Sequence, residues 1–177
     1  MPAPLPRLPR ALGLAAGPLP LAPLSLALSA ITRRMSQDHP GMLRRLGEHA
    51  KRTFLIDPVD LPLVLLLNPA RARMTAHRRH RLPGHDACIR GPMSAFLAMM
   101  HGAEDGDALF FSRDLMVEGD TAAVLALRNA MDDAELDLTE ELAALSGPLA
   151  APLRRVLAGA ERMTGLALHR AETVGEW

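Results

Sequence analysis

The chain has 177 residues, one domain's worth, and a chain of that size buries roughly 70% of its unfolded surface. Apolar residues make up 49% and charged residues 23%, which excludes a disordered chain; 20 basic residues against 20 acidic ones leave no excess charge for a generic nucleic-acid binder. Aromatics are only 3%, and the single cysteine, Cys88, excludes an internal disulfide framework and allows a reducing compartment.

The neutrality is uneven. Basic residues predominate over 1–90 and acidic ones over 91–177, an asymmetry that points to an anionic partner for the first half. Residues 11–31 carry no charge, with Arg7 and Arg10 before them and Arg33 and Arg34 after. The length suits a membrane span, but Pro18, Pro20 and Pro23, beside Gly13 and Gly17, argue against a continuous spanning helix. Arg7, Arg10 and Ala27-Leu28-Ser29 imitate a secretory signal, which the scattered prolines oppose. Residues 1–37 are therefore expected to form a Pro-rich apolar arm. It either docks on its own domain or lies in a membrane interface with its arginines near anionic headgroups.

Pro40 opens a predicted helix in which Leu43, Leu46, Ala50 and Phe54 recur at helical spacing, ended by Asp57-Pro58. Leu61–Leu67 is short and apolar between prolines and reads as a buried strand. Ala72–Arg78 alternates Met74 and Ala76 against Arg73, Thr75 and His77, a half-buried strand. Leu82-Pro83-Gly84 turns the chain, and Asp86–Arg90 is a further strand. Pro92 to Gly102 brackets a helix that is apolar nearly all round. Ala108–Val117 then puts Leu109, Phe111, Leu115 and Val117 on one strand face. A turn at Glu118-Gly119-Asp120 leads to a helix from Thr121 to about Ala134, with Val124, Leu127, Ala130 and Met131 inward. Two more helices follow, from Asp137 to Gly147 and from Leu149 to Gly165, and residues 166–177 are a tail. The order predicts an α+β fold, a single sheet of about four to five strands covered by helices, over residues 38–165.

No catalytic motif is present: no Walker loop, no dinucleotide-binding glycine fingerprint and no nucleophile elbow. His77 and His80, then His85 and Cys88, offer two ligand pairs with zinc-like chemistry, although Arg78, Arg79 and Arg81 repel a cation; a solvated strand end is the simpler account. Arg71, Arg73, Arg78, Arg79 and Arg81 suit phosphates, but no aromatic side chain lies between them to stack nucleic-acid bases. The unusual feature is methionine, ten in all, which gives a soft interior suited either to plain core packing or to a cavity for a flexible lipid chain.

The run Asp107–Thr121 and its continuation carry the Leu109-Phe110-Phe111 strand, Arg113, Leu115, the Glu118-Gly119-Asp120-Thr121 turn, Asn129 and Asp132. In this combination it resembles the sterol carrier protein type 2 domain, and more narrowly the UbiT family of ubiquinone-biosynthesis accessory factors. The resemblance implies a sheet and helices enclosing an apolar cavity, a cytoplasmic protein at the inner membrane, no catalysis by the domain and no cofactor or metal. It also implies a role in oxygen-independent ubiquinone synthesis, binding lipid or a prenylated quinone intermediate and presenting it to partners of the UbiU and UbiV type. The residues expected to line the cavity are Phe96, Leu97, Met100, Leu109, Phe111, Leu115, Val124, Leu127 and Met131. Three alternatives stand beside this: a generic lipid or sterol carrier, a structural adaptor docking a protein through the apolar arm, and a metal-dependent enzyme using His77, His80, His85 and Cys88.

Overall fold

The computed structural model describes residues 20–101 and 115–132. The expected strand residues Leu109 and Phe111, the two helices after Asp137, the tail and residues 1–19 lie outside them.

Helix α1 (Leu21–Asp38) occupies what was expected to be a proline-broken arm. The prolines permit it because of where they fall. Pro20 is the extended residue before the helix, and Pro23 sits in the first turn, where backbone N–H groups have no helical partner to lose. A single residue, His39, separates α1 from α2 (Pro40–Leu46), and a 3-10 turn follows over Gly47–Lys51. The helix expected to run through Phe54 ends early. Gly47, at φ +52°, stops it in a conformation that suits glycine. Phe54 instead opens strand β1 (Phe54–Pro58), where pairing on both sides outweighs the helical spacing of Leu43, Leu46 and Ala50.

Strands β2 (Leu63–Asn68), β3 (Arg73–Arg78), β4 (Ala87–Gly91) and β5 (Met116–Gly119) complete a five-stranded sheet in the order β3-β2-β1-β4-β5. All pairings are antiparallel except β1 with β4. Because β4 starts beside Phe54, the chain must return from the far end of β3, the outermost strand, across β2 and β1 before it can pair. The α+β expectation holds.

The registers sort the side chains. Phe54, Ile56, Leu65, Leu67, Met74, Ala76, Ala87, Ile89 and Val117 share one face. Asp57, Thr75, His77, Cys88, Arg90 and Glu118 share the other, with Leu55, Val64 and Leu66. Helices α3 (Met93–His101) and α4 (Thr121–Asp132) bury Ala95, Phe96, Met99, Ala123, Val124, Leu127 and Ala130 with Phe54 and Ile89 in one core on the apolar face. On the opposite face Asp57, almost fully buried, accepts from both Arg79 and Arg90, the latter at 2.8 Å; Arg79 also donates to the Pro58 and Leu61 carbonyls.

The turn between β5 and α4 is tightly built. Gly119 has φ +85°, and a Cβ there would lie 2.4 Å from the Asp86 carbonyl oxygen. Asp120 caps α4 by accepting from the Ala123 N–H at 3.0 Å, and its own N–H donates to that Asp86 carbonyl. Gly119→Ala is expected to destabilise the domain by about 1–3 kcal/mol, through both the strained φ and the backbone clash. A lowered denaturant midpoint at unchanged m-value is the measurement that checks it.

Candidate functional site

Between the apolar face of the sheet and the helices lies a cavity of about 260 Å³. Helix α1 contributes Leu28, Ile31, Thr32, Met35 and Ser36, and α2 contributes Met42. The sheet floor is Ile56, Leu65, Leu67, Met74 and Ile89, all on the apolar face by register. Met93, Phe96 and Met99 come from α3, and Leu127 and Met131 from α4. Thr32 and Ser36 are the polar exceptions, and the Thr32 hydroxyl donates to the Leu28 carbonyl at 2.8 Å. Among the described residues, six methionines line this space. An unbranched, polarisable side chain adjusts its rotamers to whatever fills the gap, so this wall accepts apolar chains of varied shape.

The α1 wall is attached to the sheet through strand β3. In β3 the Met74 carbonyl and Ala76 N–H point away from β2, as a sheet edge requires. Ser29 Oγ donates to that carbonyl at 2.7 Å, and Ser25 Oγ accepts from that N–H at 2.9 Å. Serines one helical turn apart thus satisfy two edge groups two residues apart.

The head of the sheet is fixed by Asp86, whose carboxylate accepts from the Thr53 N–H at 2.7 Å and the Thr53 hydroxyl at 2.8 Å. These bonds, the backbone one foremost, hold the Asp86 carboxyl below the usual carboxylate range. Arg52 ties it to Asp120, lying 3.4 Å from the Asp86 carboxylate and 3.2 Å from that of Asp120.

Of the residues expected to line a cavity, Phe96, Leu127 and Met131 do so. Leu115 and Val124 are buried in the core cluster that also holds Phe96 and Leu127. The side chains of Leu97 and Met100 on α3, like Leu109 and Phe111, lie outside the described residues. The sequence reading missed the α1 and sheet contributions. The alternation of Met74 and Ala76 was the available signal for the floor, and Leu28, Ile31 and Met35 at helical spacing the signal for the wall.

The histidine–cysteine cluster disperses. His77 on β3 and Cys88 on β4 are three strand spacings apart, about 14 Å, too far to share an ion. His77 Nε2 lies 2.8 Å from the Thr75 hydroxyl, and burial pushes its pKa down; burial pushes the Cys88 thiol up. Among the described residues, no group of three or more His, Cys, Asp or Glu is placed to hold a metal ion. Nor is any helix there long and apolar enough to cross a membrane.

Sheet, covering helices and Met-lined cavity together define a small α+β domain built around an apolar compartment. The chain belongs to the SCP-2 sterol transfer family, whose sequence model matches residues 28–132. Among solved structures, the UbiJ-SCP2 ubiquinone synthesis protein is similar at 17% identity and a TM-score of 0.51, over 66% of this chain and 96% of that one. Sterol carrier protein 2 from Yarrowia lipolytica (apo form) is 16% identical with a TM-score of 0.42, over 63% and 92% of the two chains. No curated protein sequence matches.

Phe96 serves both core and cavity. Phe96→Ala should cost about 3–5 kcal/mol by leaving a void, while Met131→Leu, nearly volume-conserving, should cost under about 1.5 kcal/mol. Denaturant unfolding of the two variants measures the contrast.

Proposed function

We propose that the protein is a non-catalytic lipid-binding accessory factor of oxygen-independent ubiquinone synthesis. It holds a membrane lipid or the prenyl tail of a quinone intermediate in its cavity and presents it to hydroxylation partners of the UbiU and UbiV type. The observation that carries lipid binding is the 260 Å³ apolar cavity, walled by methionines, within an SCP-2 family domain. Such a site supplies affinity through burial of methylenes, each contributing about 0.8 kcal/mol, and needs few polar anchors. The pathway assignment draws on the resemblance to UbiT carried by the run Asp107–Thr121 and its continuation, and on the ubiquinone synthesis named for the UbiJ-SCP2 neighbour. Two readouts test it. Native mass spectrometry and solvent extraction of the purified protein should yield lipid, and a deletion strain grown without oxygen should lose ubiquinone. Normal ubiquinone in that strain removes the pathway role; an empty protein that ignores vesicles removes lipid binding itself.

The same reading places the protein reversibly on the inner membrane. The outward side of α1 supports this, because Ala22, Pro23, Leu26, Ala27 and Ala30 are exposed there, Leu26 by 73%. Arg33, one turn beyond Ser29 on α1, and Arg73, at the start of β3, are both exposed. Exposed Arg71 and Lys51 lie on two touching 3-10 turns. An apolar strip beside basic side chains suits an anionic bilayer surface. Leu26→Asp should weaken binding to phosphatidylglycerol vesicles about tenfold or more in sedimentation assays, and added salt should weaken the wild type.

A further inference from the structure

Four walls of the cavity belong to the core cluster or to the sheet itself, whereas α1 lies along the outer strand β3, outside that cluster. Helix α1 supplies five lining side chains, yet of its 18 residues only Ile31 is buried. Ser25 and Ser29 hydrogen-bond the helix to the outer edge of β3. Breaking these bonds leaves the Met74 carbonyl and the Ala76 N–H to water, at the rim of the sheet, so neither group is stranded in an apolar interior. A short joint is already present. His39 alone connects α1 to α2, at φ −121° and ψ 66°, outside helical geometry, and Pro40 then fixes the start of α2. The pair Arg34–Asp38, 3.2 Å apart across the last turn of α1, favours keeping that turn helical, which places the bend at His39.

We propose that α1 is the gate of the cavity: it swings off β3 about His39–Pro40 to admit and release an apolar chain, and the Ser25 and Ser29 hydroxyls are its latch. The inference rests on the reading of the cavity as a ligand site, and it assigns the route by which that site is filled. Opening α1 removes Leu28, Ile31 and Met35 from one side of the cavity and leaves its floor and its α3 and α4 walls in place. A ligand held under a closed α1 exchanges only through the open state. Weakening the latch therefore speeds entry and exit together and leaves the equilibrium affinity nearly untouched while the closed state still predominates.

The test uses the full chain with Ser25→Ala, Ser29→Ala and the double variant. Hydrogen exchange is expected to show α1 and the Ala76 amide opening as a unit, ahead of the β1 and β4 amides, and to quicken about fivefold for each serine removed. Stopped-flow with cis-parinaric acid as the apolar probe should show entry and exit rates rising by the same factor, with Kd unchanged. Exchange of α1 only in step with β1 and β4, meaning it opens only when the domain unfolds, overturns the gate. So does a faster exit with an unaltered entry rate. Failure of the probe to bind at all counts against the ligand site, and hydrogen exchange then still decides whether α1 opens by itself.

Discussion

The register between β1 and β4 is the constraint on which the cavity depends. A slip of one residue in a sheet turns every side chain to the other face. A slip of β4 against β1 would put Cys88 and Arg90 where Ala87 and Ile89 now form the apolar floor and core. Three devices hold the register at the head of the strands: the Asp86 clasp on Thr53, the close approach of Gly119 to the Asp86 carbonyl, and Arg52 bridging to Asp120. Asp57, gripped by Arg79 and Arg90, secures the far end from the opposite face. The polar residues of this protein thus act as positioning hardware for an apolar site that contains almost none of them.

Much of this order is written locally. The alternation in Ala72–Arg78 named the face of β3, and the prolines around Leu61–Leu67 bounded β2. The start of the helix at Thr121 was readable because a capping carboxylate precedes a periodic apolar stripe. The failures share one cause, that the deciding partner is far away in sequence. Phe54 fits a helix by spacing and becomes a strand because Leu67 and Ala87 flank it. The arm looked broken when its prolines were counted, and it becomes a helix because they precede or open the first turn while β3 offers an edge to lean on. The cavity was legible in part, as ten methionines in an aromatic-poor chain and in Phe96, Leu127 and Met131 among its lining. Which of the methionines line it depends on how α1, the sheet and α3 meet.

Methionine and the serine latch solve two halves of one problem. A wall that must fit different chains is best made of side chains that repack at low cost. A wall that must move is best attached by groups that water can satisfy when they part. Helix α1 combines both, with Met35 inside and two small hydroxyls at the strand edge.

The parallel pairing of β4 with β1 has a consequence for chain length. After the turn closed by the Arg81 N–H on the Arg78 carbonyl, the backbone must travel back along the strands and over three spacings to reach Ala87. From Arg78 to Ala87 that displacement is about 19 Å, whereas nine residue steps at about 3.3–3.6 Å reach roughly 30–32 Å. The crossover therefore has length to spare, and the place where β4 begins is set by the bonds of Asp86 to Thr53, not by tension in the connection.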